Sequence, residues 1–191
     1  MYLDQNKKYT FEEFLVMEPE LPYKAEFYNG QIIAMAGGTS NHSIIGSNAI
    51  RHLGNALDDS DCVVYNSDMK IAIEEFDSYV YPDVMIVCGG RDFVDDNQTI
   101  IRNPLLIIEV LSKSTKSYDK YEKFSKYRTL SSFKEYVLIH ADQYKVEAFY
   151  KEDKTLWNIS TIYDKNGEIV LNSINVTLKM QDIYKKTLGL D

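Results

Sequence analysis

The sequence predicts an α/β fold of the α+β-like kind, in which a mixed β-sheet is flanked by helices. Strand-like segments precede a long helical segment, follow it, and appear again after a second helix. Two short apolar runs, residues 83–88 and 105–111, have the composition of strands that are buried on both faces. Asn-Gly pairs at residues 29–30 and 166–167 indicate turns between strands. Together these observations favour one sheet with helices packed against it.

Helices are predicted from capping residues and from apolar periodicity. Thr10, with Glu13 three residues later, forms a capping box and predicts a short helix that ends near Pro19. Apolar residues recur at helical spacing along the next helix, which Ser40 or Asn41 caps. The later helices are predicted, in chain order, from residue 40 or 41 to about residue 57, from the turn at 112–115 to about residue 130, and at 178–186.

Strands are predicted where short apolar or alternating runs lie between turn residues. Residues 23–28 and 31–35 form a hairpin around Asn29-Gly30, and residues 62–65 and 69–73 form a second pair. The runs at 83–88 and 105–111, each opened by a proline, are expected to be central strands. The remaining segments are the polar loop 89–99 and the strands 135–140, 145–150, 157–163 and 168–171, the last returning along the strand before it.

The length of 191 residues fits one domain that covers residues 1–191. No apolar run is long enough to cross a bilayer, and the first ten residues lack the apolar stretch of a signal peptide. Cys62 and Cys88 lie in apolar runs, so we expect both to be reduced core residues. The expected compartment is the cytoplasm, with no membrane partner.

The charge balance is acidic, with a formal net charge of −8. Nonspecific binding of polyanions is disfavoured, because phosphate contacts require lysine and arginine. A bound divalent metal adds positive charge locally, and the basic residues are not evenly spread. Composition therefore disfavours a nucleic-acid substrate, and the local distribution of positive charge weakens that objection.

Two acidic residues interrupt the most apolar runs. Asp83 follows Pro82 at the start of one run, and Glu109 lies inside the other. A buried, unpaired carboxylate is costly, and two at neighbouring strand ends repel each other unless a divalent cation lies between them. Mg²⁺ suits such a site, since it binds few carboxylates and keeps several waters. The alternatives are a residue that starts a strand after proline for Asp83 and a buried salt bridge for Glu109.

These two runs carry a resemblance to a known family. The segment Tyr81-Pro82-Asp83-Val84, followed by residues 104–112 with Glu109 inside them, resembles the core of the PD-(D/E)XK nuclease superfamily. More narrowly, the chain resembles the Uma family of endonucleases, the second of that name. Further matches to this family, which extend the resemblance to about residues 10–150, are Glu26 in the hairpin, His42, Ser114-Thr115, Asp119, Lys123 and Tyr127. The resemblance implies a restriction-endonuclease-like fold.

The sequence departs from the superfamily pattern at Leu111, where the superfamily has a lysine two residues after the strand carboxylate. Leu111 shares the face of Glu109 on the strand and cannot supply an ammonium group. The resemblance to the Uma family implies a migrated lysine on the following helix, and Lys123 is the match. Helical spacing places Asp119, Lys123 and either Lys126 or Tyr127 on one face. The alternative is a solvent-exposed Asp119–Lys123 pair, which contributes little to stability.

Three accessory residues have both a functional and a structural interpretation. Glu26 is a metal or water ligand, as the resemblance implies, or an exposed strand carboxylate. His42 lies on the inner face of the long helix and contacts substrate phosphate or water, or it is a hydrogen-bonded core histidine. Asp68 supports the site or caps a turn. His52 and His140 have no partner at ligand spacing in the sequence.

A local excess of basic residues follows the glutamate strand, interleaved with tyrosines. Its members are Lys113, Lys116, Lys120, Lys123, Lys126 and Arg128. A phosphate backbone fits such a stripe, and the alternative is an ordinary solvated helix face.

The function that the resemblance implies is hydrolysis of phosphodiester bonds in DNA by an endonuclease. Asp83 and Glu109 would hold Mg²⁺ or Mn²⁺, and Lys123 would be the catalytic lysine. The supporting residues are Glu26, His42, Asp68, Asp119 and Tyr127. Two alternatives stay open: a catalytically inactive protein of the same fold that binds nucleic acid or a protein partner, and a metal hydrolase of small phosphoesters. DNA is the expected partner, and a second copy of the chain, forming a homodimer, is a further candidate.

Overall fold

Two β-sheets and a separate hairpin organise the chain in the computed structural model, which describes residues 7–112 and 118–190. The strands are β1 (Ala25–Tyr28), β2 (Gln31–Ala34), β3 (Cys62–Asn66), β4 (Lys70–Ile73), β5 (Ser78–Val80), β6 (Val84–Cys88), β7 (Ile100–Ile101), β8 (Leu106–Leu111), β9 (Glu135–His140), β10 (Val146–Lys151), β11 (Trp157–Ile162), β12 (Glu168–Leu171) and β13 (Val176–Lys179). The helices are α1 (Phe11–Met17), a 3₁₀ turn (Glu18–Glu20), α2 (Ser40–Ala56), a 3₁₀ turn (Glu74–Phe76), a π-helical turn (Tyr118–Lys123), α3 (Phe124–Tyr127) and α4 (Met180–Ile183). Within the described ranges, no helix is long and apolar enough to cross a membrane.

The larger sheet has six strands in the order β11-β10-β9-β8-β6-β3. Its β8–β9 pair is parallel and its other pairs are antiparallel, so the sheet is mixed as predicted. β6 and β8 are adjacent, with Val84 opposite Ile108, and every residue of Leu106–Leu111 is buried. The prediction that these two apolar runs are neighbouring inner strands is therefore confirmed.

Helices cover both faces of this sheet, which confirms the predicted fold class. On one face, α2 packs Ile45, Ala49 and Leu53 against the sheet, and all three are fully buried. On the other face, Tyr127 of α3 packs against a second cluster that includes Leu111. Because side chains alternate along a strand, Glu109 points to the same face as Leu111, toward α3 and the π-helical turn.

The single sheet predicted from sequence is wrong, because the strands divide between two sheets. The second sheet has the order β2-β1-β5-β4-β7. The β1–β2 hairpin is confirmed, and positive φ angles of 43° at Asn29 and 85° at Gly30 suit its two-residue turn. The expected β3–β4 pair is not formed: β3 pairs with β6, and β4 pairs with β5 and β7. Pairing with remote strands decides this division, and the local pattern of short strands does not contain that information.

The chain near its C-terminal end also differs from expectation. Residues 178–186 were expected to be helical, but β13 takes up residues 176–179 and α4 covers only Met180–Ile183. β12 pairs with β13 and does not return along β11, with Ile169 opposite Leu178. Buried and exposed residues alternate along β13, so burial with a period of two overrides the helical interpretation.

Two helix predictions need smaller corrections. The N-cap of α2 is Thr39, whose side chain accepts a hydrogen bond from the His42 backbone, and not Ser40 or Asn41. The helix expected to end near residue 130 is a π-helical turn, Tyr118–Lys123, followed by one short α-helical turn, Phe124–Tyr127. Its predicted start, including Ser114-Thr115, lies outside the described residues.

The expectation of two reduced cysteines is wrong, because Cys62 and Cys88 form a disulfide. They stand directly opposite each other on β3 and β6, with Cα atoms 3.9 Å apart. Opposed positions on neighbouring antiparallel strands bring Cβ atoms close enough to bridge. Their sequence separation of 26 gave no sign of this pairing.

Removal of the disulfide is expected to lower the free energy of unfolding by about 2–4 kcal/mol, because the bond restricts the unfolded chain. Urea unfolding without reductant would compare the Cys62→Ser/Cys88→Ser protein with the parent. Added reductant should destabilise the parent and leave the double variant unchanged. Equal stability of the two proteins without reductant would contradict a disulfide in the folded chain.

Candidate active site

A cavity of about 320 Å³ opens beside the start of β6 and the middle of β8. One wall is charged and the other is apolar. The charged side chains that line it are Glu26, His42, Asp83, Glu109, Asp119 and Lys123. The opposite wall is the edge strand β2 with the segment after it, residues 33–38. Six of the eight residues proposed from sequence as catalytic or supporting, all but Asp68 and Tyr127, therefore line one cavity.

The backbone of β6 and β8 brings Asp83 and Glu109 together. Val84 lies opposite Ile108, and continuing this register by one residue sets Asp83 opposite Glu109. Asp83 Oδ2 accepts a hydrogen bond from the backbone N–H of Val110 at 2.7 Å. The two carboxylates thus come from directly opposed positions, and Asp83 is oriented by the neighbouring strand.

Glu109 is 3% exposed and receives two donors on one oxygen. Its Oε1 accepts from Lys123 Nζ at 3.1 Å and from the Tyr127 hydroxyl at 3.0 Å. Burial raises the pKa of the Glu109 carboxyl well above its usual range; Lys123 opposes this rise, and the nearby carboxylates of Asp83, Asp119 and Glu26 add to it. Glu109 therefore lies in a region with an excess of negative charge.

Lys123 places an ammonium group in the cavity. Its Nζ lies 3.1 Å from Glu109 Oε1, 3.4 Å from Asp119 Oδ1 and 3.5 Å from Glu26 Oε1. Burial lowers the pKa of Lys123, but these three carboxylates outweigh burial and raise it well above its usual value. Lys123 is thus a buried, protonated lysine inside the cavity, and the solvent-exposed Asp119–Lys123 pair considered from sequence is not what the structure contains.

Glu26 reaches the cavity from β1 of the other sheet. Its Oε1 accepts from the backbone N–H of Tyr81 at 3.1 Å, and its Oε2 accepts from the Tyr28 hydroxyl at 3.0 Å. At 6% exposure it is not the exposed strand carboxylate considered from sequence. The sequence did not indicate Tyr28 or the Tyr81 backbone as partners of Glu26, because the contact with Tyr81 depends on how the chain crosses between the sheets.

His42, near the start of α2, contacts the second carboxylate of the site. Its Nε2 lies 3.3 Å from Asp83 Oδ2. The hydrogen bond to Asp83 raises the pKa of His42 despite partial burial. The histidine therefore contacts the same oxygen of Asp83 that accepts from Val110, and contact with substrate or water is not needed to explain its position.

Asp68 and the described basic residues other than Lys123 do not line the cavity. The Asp68 side chain is 83% exposed, lies 3.5 Å from Lys24 and exchanges hydrogen bonds with Asn66 in the turn between β3 and β4. Lys120 is paired with Glu147 at 2.8 Å, and Lys126 lies 3.9 Å from the centre of the Tyr28 ring. Arg128 lies 5.6 Å from the centres of the Phe124 and Trp157 rings. Lys113 and Lys116, the remaining basic residues of the stripe, lie outside the described residues.

The donor set fits a hard divalent cation. Four carboxylates and one buried ammonium group line the cavity. One oxygen on each of the two opposed carboxylates, Asp83 Oδ1 and Glu109 Oε2, has no hydrogen-bond donor in the described part of the chain. Oxygen ligands of this kind suit Mg²⁺ or Mn²⁺. Among residues 7–112 and 118–190, the one group of three ligand atoms mutually within 4.8 Å is Asp61, Cys62 and Cys88, at the far end of β6. The cavity thus offers two carboxylates with open oxygens and no compact cage of three, which matches the preference of Mg²⁺ for few protein ligands and several waters.

Comparisons with known proteins agree with this architecture. Residues 11–181 match the model of the Uma2 family, described as "Putative restriction endonuclease". Two curated proteins of Synechocystis sp. (strain ATCC 27184 / PCC 6803 / Kazusa) are similar over most of their length. "Uncharacterized protein sll1609" is 36% identical over 92% of this chain and 99% of its own length. "Uncharacterized protein slr1290" is 35% identical over 93% of this chain and 92% of its own length. The crystal structure of "a putative nuclease belonging to DUF820 from Anabaena variabilis ATCC 29413" superposes with a TM-score of 0.74, at 17% identity, over 94% of this chain and 99% of that one. This structural match shows the nuclease-like fold.

Proposed function

This chain belongs to the Uma2 family, "Putative restriction endonuclease", and from that premise we propose that it is a metal-dependent endonuclease that hydrolyses phosphodiester bonds in DNA. The observation that carries the proposal is the Lys123 ammonium group, 3.1 Å from Glu109 in the cavity that Asp83 also lines. With Asp83 and Glu109, this lysine would complete the two carboxylates and one lysine of the superfamily pattern, although Leu111 occupies the position where the superfamily has its lysine.

Asp83 and Glu109 would hold Mg²⁺ or Mn²⁺ through Asp83 Oδ1 and Glu109 Oε2, which accept from no donor among the described residues. Bound there, the cation supplies an acidified water and charge neutralisation at the phosphate. Each carboxylate is fixed in rotation by donors on its other oxygen: Val110 N–H and His42 for Asp83, Lys123 and Tyr127 for Glu109. The protein thus orients both ligands before any cation arrives, which is the preorganisation that such chemistry requires.

Lys123 would act on the charge that develops during cleavage. Its ammonium group stays protonated, because three carboxylates surround it. A fixed cation in a buried site stabilises negative charge on a phosphate oxygen, or orients the attacking water, far better than a solvated one. Glu26 and Asp119 hold this ammonium group, so their proposed role is to place Lys123.

The test is cleavage of supercoiled plasmid with Mg²⁺, Mn²⁺ or EDTA, together with calorimetric titration of Mn²⁺. We expect metal-dependent nicking or linearisation and measurable Mn²⁺ affinity. RNA and a small phosphodiester complete the substrate panel, because the acidic surface and the pairing of Lys120 with Glu147 favour a smaller substrate. Hydrolysis of the small ester alone would replace DNA as the substrate, and absence of Mn²⁺ binding would favour the inactive binding protein.

Metal affinity is expected to rise with pH. The pKa of Glu109 is raised by burial, and the pKa of His42, ordinarily 6.5, is raised by Asp83. Protons held by these groups compete with a cation, so binding should release protons and strengthen as the pH increases through neutrality. Titrations of Mn²⁺ from pH 6 to 8, in buffers of different ionisation enthalpy, would count the protons released. An affinity that does not change with pH would contradict protonation at this site.

A further inference from the structure

A second polar cluster lies on the same face of the six-stranded sheet, centred on Glu147 of β10. Glu147 is 6% exposed and accepts from Lys120 Nζ at 2.8 Å, His140 Nε2 at 2.9 Å and Lys145 Nζ at 3.2 Å. Burial opposes its ionisation, but the hydrogen bonds from Lys120, His140 and Lys145 outweigh burial and hold the pKa of Glu147 at about 2. It is a charged acceptor at any pH at which the protein would work.

The register of the sheet relates this cluster to the candidate active site. Glu109 on β8 and Glu147 on β10 both lie opposite Leu138 of β9. The two glutamates therefore stand in one row, two strands or about 10 Å apart. Each receives a lysine from the same π-helical turn, Lys123 for Glu109 and Lys120 for Glu147.

The π-helical turn is also joined to the sheet by a hydrogen bond from the Tyr136 hydroxyl to the Asp119 carbonyl, at 2.9 Å. Six residues of π-helix, Tyr118–Lys123, are too few to be stable by local hydrogen bonding alone. Contacts with the sheet must therefore hold the turn in place. Among the described residues, the ion pair between Lys120 and Glu147 joins the turn to β10.

We propose that Glu147 is a positioning residue: through Lys120 it holds the π-helical turn over the sheet, and so keeps the Lys123 ammonium group among Glu109, Glu26 and Asp119. His140, buried behind Glu147 and contacted by Gln143, fixes the direction of the carboxylate. This assigns to Lys120 a structural partner in place of the phosphate contact expected from sequence. The effect of Glu147 on cleavage rests on the proposed function, whereas its effect on the position of Lys123 does not.

The chain offers a matched control at Lys145. Lys120 and Lys145 both donate to Glu147, so Lys120→Met and Lys145→Met remove the same charge from the same carboxylate. In the described part of the chain Lys145 makes no contact with the π-helical turn; besides Glu147 it meets the Tyr163 ring at 5.3 Å. Only Lys120→Met removes the ion pair between Glu147 and the π-helical turn.

The primary measurement is the rate at which Lys123 is acylated in the metal-free protein. A limiting amount of acetic anhydride is added, and the modification is followed by mass spectrometry. Lys120→Met and Glu147→Gln should raise this rate by about tenfold or more, the factor expected when one hydrogen bond to a charged group no longer resists local opening. Lys145→Met should leave it within about twofold of the parent, well below the loss of one such hydrogen bond. Should Glu147→Gln fail to fold, the Lys120 and Lys145 pair still gives the comparison. Equal acylation in Lys120→Met and the parent, or equal increases in both lysine variants, would overturn the proposal.

Single-turnover cleavage then separates positioning from substrate contact. Positioning predicts that Lys120→Met slows cleavage at saturating DNA while DNA affinity and its salt dependence stay unchanged, and that Lys145→Met does neither. A phosphate contact predicts weaker binding, a salt slope smaller by about 0.9 and unchanged acylation of Lys123; that result would also overturn the proposal. If the parent proves unable to cut DNA, the proposed function fails while the acylation result still decides the role of Glu147.

Discussion

Substitution of Glu109 by glutamine is expected to reduce metal-dependent cleavage below detection while leaving the protein folded. The amide keeps an oxygen that can accept from Lys123 and Tyr127, so the local packing survives. It removes the charge at the position proposed to bind the cation, and a neutral amide is a poor ligand for Mg²⁺. Plasmid cleavage and Mn²⁺ titration of the variant would measure both losses.

The same substitution is expected to raise the thermal midpoint of the metal-free protein. Burial and three neighbouring carboxylates raise the pKa of Glu109, so its ionisation destabilises the folded state progressively as the pH rises through that raised pKa. Glutamine removes this loss, and Lys123 keeps Glu26 and Asp119 as partners. The difference in thermal midpoint between Glu109→Gln and the parent should therefore increase with pH. A sharp fall in the midpoint would instead identify Glu109 as a required member of a structural ion pair.

Loss of the lysine is the second large effect. Lys123→Ala is expected to lower the single-turnover rate by about two orders of magnitude or more, the usual result of removing one electrostatic catalyst. DNA affinity should change little, because the side chain is buried among carboxylates and is not part of a charged surface. Lys165→Ala is the matched control, since Lys165 is exposed and has the same charge. Equal, small effects at both positions would mean that the catalytic lysine lies elsewhere.

Stability must be followed in parallel, because Lys123→Ala leaves Glu26, Glu109 and Asp119 without their common cation. Removal of one partner from a buried ion pair costs about 3–5 kcal/mol. Protonation of the carboxylates relieves the repulsion, so stability of the variant should fall as the pH rises and recover as it is lowered. Lys123→Arg keeps the charge and should retain stability, which separates loss of the fold from loss of catalysis.

The sequence was most informative where a charge interrupts an apolar pattern. Asp83 and Glu109 could be paired because each lies in a strand too apolar to hold a carboxylate without a reason. Lys123 was implied by the family resemblance and supported by the helix face it shares with Asp119, and that proximity survives although the turn is π-helical. Such signals depend on residues a few positions apart, which is the range over which local geometry is fixed.

What depends on remote pairing could not be obtained in this way. The disulfide requires β3 to lie beside β6, and the partition into two sheets decides that β3 does not pair with β4. Glu147 and His140 become partners because β9 and β10 form a hairpin in which they are diagonal neighbours, and Lys120 reaches Glu147 from another element. Lys120 consequently resembled a free surface lysine in the sequence.

The carboxylates of the cavity come from two sheets, with Glu26 on β1 of the smaller sheet and Glu109 on β8 of the larger. Residues 81–83, which include Asp83, are the crossing between them, and the Tyr81 backbone donates to Glu26 at that crossing. During folding, each sheet on its own holds only part of the charged set around Lys123, because Glu26 reaches its ammonium group from the other sheet. The surroundings of Lys123 are therefore complete only when the sheets dock, so any hydrolytic activity that depends on this lysine should appear late, on completion of the fold.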